Sequence, residues 1–168
     1  MKTRITCLSL GLLALFPLLL SQTNPESPTW EQALQWKKEG RFQDAAAVFE
    51  RVALQPPSGK NDLNRTVQSI PEYLDCLRHL NTLSKADEFL EKVAAQHTRS
   101  PIILAALARA WQQLPHYGYL VEGRFQRGFR RGGGEYVDAT ERDRRRALQL
   151  FDQARQLSMI SPSPAETA

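Results

Sequence analysis

Six stretches of this chain carry apolar residues at helical spacing, and almost nowhere do apolar and polar residues alternate as in a half-buried strand. Such a chain must bury six one-sided stripes against one another, which restricts it to packed helices. Ser27-Pro28 supplies a cap and a first-turn proline for the first helix, where Trp30, Ala33, Leu34 and Trp36 lie largely on one face before Gly40. Ala45, Val48, Phe49, Val52 and Ala53 form the second stripe, stopped by Pro56-Pro57, and Ser58 to Asn64 reads as a loop. The third helix starts near Thr66, which keeps Pro71 close to the first turn, and carries Tyr73, Leu74, Leu77 and Leu80. Ser84-Lys85-Ala86-Asp87 reads as a capping box for the fourth, with Ala86, Phe89, Leu90 and Val93. Ser100-Pro101 opens the fifth, which runs through Leu104, Leu107, Ala108 and Trp111 to Leu114-Pro115. A second box, Thr140-Glu141-Arg142-Asp143, opens the sixth, with Ala147, Leu150, Phe151, Ala154 and Leu157. The expectation is an all-α fold: three stacked antiparallel helix pairs over residues 23–158, with a loop or hairpin insert, 115–140, in the third pair.

The N-terminus is of another kind. Met1-Lys2-Thr3-Arg4 is basic, Ile5 to Leu20 is uncharged and almost entirely apolar, and Ser21-Gln22-Thr23 follows. That order is the layout of a secretory leader, so residues 1–22 are expected to be a signal peptide and the protein secreted or periplasmic. Membrane contact is expected only if this segment stays uncleaved. Losing Lys2 and Arg4 with the leader takes the formal charge from +4 to +2, so any basic character that matters must be local. Cys7 leaves too, and the remaining Cys76 cannot form an internal disulfide. Its place in an apolar stripe suggests a buried, inert thiol. Residues 159–168, with Ser-Pro repeated, are expected to be disordered.

The second helices repeat a small residue, a large one four later, and a small one three after that: Ala45-Phe49-Val52, Ala86-Leu90-Val93 and Ala147-Phe151-Ala154. On a first helix, Leu104-Leu107-Ala108-Trp111 supplies large, leucine, small and aromatic residues. In these positions the chain resembles the tetratricopeptide repeat family, whose period is about 34 residues. The register departs from it: Ala45 to Ala86 carries an excess attributed to Ser58–Asn64, and Ala86 to Ala147 a larger one lying between Leu114 and Thr140. The resemblance implies a protein-binding scaffold with the first helices lining a groove. Outward positions there would be Lys37, Arg78, Arg109 and Gln112, three of them cationic.

The chain offers little for catalysis. His79, His97 and His116 are scattered, and Gly132-Gly133-Gly134 lacks the Lys-Ser/Thr of a phosphate loop. No enzyme activity, cofactor or metal is expected. The insert is the informative segment. Tyr117, Tyr119, Phe125 and Phe129 alternate loosely with polar residues, as in a hairpin folded against the helices. Arginines crowd from Arg124 to Arg146 and outnumber the acids. They could pair with neighbouring acids, form a surface for an acidic protein segment or anionic polymer, or bind RNA. A single Arg-Gly-Gly tract in an exported protein argues against RNA. Arg142, Arg144, Arg145 and Arg146 sit at a helix N-terminus, the wrong end for positive charge, so something acidic should answer them. The expected partner is a protein, through an acidic segment. The expected partner-binding residues are Lys37, Arg78, Arg109, Gln112, Arg124, Arg127, Arg130 and Arg131, with the aromatics of the insert turned to the helices and its arginines outward.

Gly128-x-x-Arg131-Gly132-Gly133-Gly134-x-Tyr136-Val137, followed by Glu141-Arg142-Asp143-Arg144-x-Arg146-Ala147-Leu148-Gln149-Leu150, also resembles the N-terminal helical region of large bacterial alpha-2-macroglobulin-family proteins. That likeness covers about a quarter of the chain and implies an accessory or leading module of a protease-inhibitor system. The thioester motif of such proteins is missing here.

Overall fold

The computed structural model describes residues 28–160; residues 1–27, with the expected signal peptide, and residues 161–168 of the expected tail lie outside the described residues. Six α-helices are present: α1 Trp30–Lys38, α2 Phe42–Leu54, α3 Lys60–His79, α4 Ala86–Gln96, α5 Pro101–Gln113 and α6 Thr140–Ile160. The expectation of an all-α fold is wrong. Between α5 and α6 the chain builds a three-stranded antiparallel sheet, β1 Tyr117–Val121, β2 Arg124–Arg127 and β3 Glu135–Asp138, in the order β2-β1-β3. Glu122 and Gly123, both at positive φ, form the two-residue turn between β1 and β2, a conformation that matches strand twist. The third strand closes on the far side of β1 after the glycine-rich crossover, a pairing that no local alternation announces.

Side-chain caps and left-handed turns set several of the helix boundaries. Thr29, not Ser27, caps α1: its hydroxyl accepts from the Gln32 amide while Gln32 Oε1 accepts from the Thr29 amide. Gly40 and Asn81, both in the left-handed region, end α1 and α3 with paired bonds back to the last turn: Arg41 and Thr82 donate to Trp36 and Leu77, and Gly40 and Asn81 to Lys37 and Arg78. Two expected boxes do not form. A short 3-10 turn, Leu83–Lys85, leads into α4 without a side-chain cap, and Asp138 rather than Thr140 supplies the capping oxygen of α6. The expected loop before Asn64 is also shorter, because α3 starts at Lys60 and carries Pro71 in its interior. Pro71 faces solvent, where water can satisfy the carbonyl that a proline leaves unbonded.

The apolar stripes meet in one core that includes Phe49, Ile70, Phe89, Leu90, Leu104, Leu107 and Leu150. Helix α2 lies on α1 and α3, α5 on α6, and α3 on α5. Tyr73 and Phe89 join α3 to α4, ring centroids 4.1 Å apart. Cys76 is fully buried, and burial pushes its thiol up to about 11, which keeps it protonated and unreactive. Ala33, Ala45, Leu74, Ala86, Ala108 and Ala147, drawn from all six stripes, are buried. Ala86 has no exposed surface, so Ala86→Leu should overpack the start of α4 and cost ~1–3 kcal/mol in urea unfolding. An unchanged midpoint would show that this crossing is loosely packed.

Candidate interaction surface

Side chains alternate across a strand, so register decides which residues of the insert face the helices. Gly118 pairs with Arg127 and Val137, while Tyr119 pairs with Gln126 and Tyr136. Gly118 and Arg127 are buried, so their set, including Phe125, is the inward one. Tyr117, Tyr119, Tyr136, Arg124 and Gln126 form the other face. This inverts much of the expected orientation. Phe125 and Arg127 share a face because they are two apart, and three tyrosines turn outward. Tyr136 is 62% exposed, and its ring stacks near Tyr117 at 6.4 Å and stands edge-on to Tyr119 at 6.0 Å. Phe129, beyond β2, is 76% exposed.

Arg127 is therefore no surface residue; its side chain is wholly buried. Its guanidinium makes four hydrogen bonds: Nη1 and Nη2 to the Asp143 carboxylate at 2.7 and 2.9 Å, Nε to Asp87 at 2.5 Å, and Nη1 to the Pro115 carbonyl at 2.6 Å. Asp143, equally buried, also accepts from Arg142 Nη2 at 2.9 Å and His116 Nδ1 at 2.9 Å. An ionised carboxylate can only accept, so the His116 proton sits on Nδ1. Arg142 bridges to Asp87 at 2.6 Å and lies 4.1 Å over the Phe125 ring. Two guanidinium cations thus meet two carboxylates, with Trp111 and Phe125 stacked against them. Burial pushes the Asp143 carboxyl up, but hydrogen bonds from Arg127, His116 and Arg142 outweigh it and hold the group below the usual carboxylate range. For Arg127 burial lowers the value, while bonds to Asp143 and Asp87 more than restore it. The network joins β2, α4, α5 and α6, and fixes the sheet to the helices.

Of the four arginines at the α6 N-terminus, two are answered by closely bonded acids, while Arg144 reaches only the exposed Glu141, at 3.8 Å. Arg142 is held by Asp87 and Asp143, and Arg146 grips Glu91 with Nε and Nη2 at 2.7 and 2.5 Å. Asp87, Glu91, Trp111, Arg142 and Arg146 line a cavity of about 340 Å³ between α4 and α6. Sequence reasoning missed Asp87, Asp143, His116 and Trp111 as a set. One signal was there: Asp143 falls on the stripe of Ala147, Leu150 and Ala154, and an acid on a buried stripe needs a cationic partner.

Of the other expected binding residues, Lys37 and Arg78 share Asp75 of α3, at 2.6 and 3.9 Å. Lys37 bridges Glu72 and Asp75 on α3, both at 2.6 Å; burial lowers its ammonium value, but bonds to Asp75 and Glu72 leave it raised. Arg78 donates to the Gln113 carbonyl at 3.3 Å. Arg109 lies in a cleft with Ile102, Phe151 and Arg155, on the α5–α6 side, and Gln112 is exposed. Arg124 and Arg131 are exposed, Arg130 is half-buried and donates to Gln126 at 2.9 Å, and none of the three forms an ion pair among the described residues. Among those residues no group of three His, Cys, Asp or Glu side chains gathers as a metal site would need. No protein family, curated protein or solved structure matches the chain.

Proposed function

We propose that the protein is a non-catalytic interaction module whose sheet insert takes an acidic segment of a protein partner. The observation that carries this reading is one of charge and exposure. Of the insert's arginines, the inward one is neutralised by Asp87 and Asp143, while Arg124, Arg130 and Arg131 have no acidic partner among the described residues. The exposed Phe129 ring lines a cavity with Arg130 and Arg131, and the exposed Tyr136 shares the outward face of the sheet with Arg124. Exposed aromatic residues and arginines are the side chains enriched where proteins bind one another. Guanidinium groups fit carboxylates by planar, two-point contact. Strands β1 and β2 are held on the helices and Gly128 donates to the Tyr117 carbonyl, so the base of this surface is fixed and binding loses less entropy in ordering it.

The test uses a labelled Glu-rich peptide, with its Gln-rich counterpart as control. Arg124→Glu/Arg130→Glu/Arg131→Glu should slow association about tenfold or more at low salt, and the difference should shrink as salt rises. Arg127 is left alone because it belongs to the core. Equal capture of both peptides by the native protein, or an unchanged rate in the triple variant, would remove the basis for this reading.

A further inference from the structure

We propose that the cavity between the arginine loop and the turn after α3 is the anchor for one carboxylate of that acidic segment. This rests on the function proposed above and assigns a place within it. The cavity has a volume of about 550 Å³. Arg130 and Arg131 form one wall, Asn81 and Ser84 the other, and Gln126 and Phe129 contribute between them. No carboxylate lines it. Arg127 also reaches the lining, but its charge is already offset by Asp143 and Asp87. What remains is two cations without an acid, facing an amide and a hydroxyl. That donor set suits an anion bearing planar oxygens.

The walls are fixed at their base. Asn81 sits at φ +54° in the terminating turn of α3, its amide donating to Arg78. Gly128, where the arginine loop begins, donates to the Tyr117 carbonyl at 2.9 Å, and a Cβ there would lie 3.4 Å from Leu83. The loop is therefore pressed against the turn that carries Ser84. The Phe129 ring, open to solvent beside the arginines, gives apolar contact to whatever enters. A glutamate of the partner would place its carboxylate between Arg131 and Ser84 and its methylenes against Phe129.

Ser84 provides the sharpest test, because it is exposed and outside the core. Ser84→Glu installs a rival carboxylate opposite the arginines, and Ser84→Gln adds the same bulk without charge. With the Glu-rich peptide as probe in fluorescence anisotropy, Ser84→Glu should weaken binding about tenfold, as should Arg131→Gln, the equivalent of one charge-assisted contact. Ser84→Gln should stay within about threefold of the native protein, short of one such contact. Circular dichroism checks that each variant keeps its helices. Equal losses for Ser84→Glu and Ser84→Gln would mean mere obstruction, and no loss for Ser84→Glu would place the carboxylate elsewhere; either overturns the assignment. A phosphoserine peptide that binds where the Glu-rich peptide does not would overturn it in favour of phosphate. If the native protein binds no acidic peptide, the broader function fails, a result distinct from the others.

Discussion

Replacing Asp143 by Ala is expected to lower the unfolding free energy by about 3–5 kcal/mol, because it leaves a buried guanidinium short of its main counter-charge. Arg127 would keep only Asp87 and one carbonyl, in a place with no solvent to replace the lost carboxylate. Arg142 and His116 would lose the same acceptor. Urea unfolding followed by circular dichroism measures the change. The pH dependence gives a second reading. Asp143 is held below the usual carboxylate range in the folded protein, so its stabilisation is full above the unfolded carboxylate value of ~3.9 and fades as pH falls through the lower folded value. Asp143→Asn should lack that component of acid sensitivity. A cost under about 1 kcal/mol, the range of an exposed pair, would show that the pair is solvated.

Gly118→Ala should be the second severe substitution, at about 3 kcal/mol, the upper end for forced overpacking. A Cβ at this position would overlap the Gln126 carbonyl oxygen and come within 2.7 Å of the Phe125 ring. The ring can turn, but the carbonyl belongs to the neighbouring strand and cannot. Adding Phe125→Ala should therefore restore only part of the loss. Urea unfolding measures both variants, and the near-ultraviolet signal of Tyr117 and Tyr119 should change with the strand. A Gly118→Ala protein as stable as the native one would mean that β1 and β2 are not in this register.

What could be read from the sequence followed the reach of its signals. Helical periodicity located all six helices, since each stripe spans several turns and is set by burial of its own residues. The sheet was harder. Leu120 and Phe125 pair across a Glu-Gly turn, a hairpin signal, but β3 joins only after the crossover at Gly128 to Gly134. Arg127 shows the main failure. An arginine in an arginine-rich loop reads as surface, and only its distance of two from Phe125 indicated the inward face. Its partners, Asp87 and Asp143, lie 40 and 16 residues away, and nothing local announces them. Pro71 failed in the other direction, because a proline on the solvent side does not end a helix whose other face is packed.

Backbone hydrogen exchange across the insert tests the locked sheet most directly. The Gly128 amide donates to Tyr117 and the Ala139 amide to His116, one at each side of β1. With Arg127 and Asp143 holding the sheet to α4 and α6, these two amides should exchange as slowly as those in the middle of α5, opening only with the whole fold. Exchange at the rate of an unstructured loop, while α5 stays protected, would contradict a rigidly presented surface.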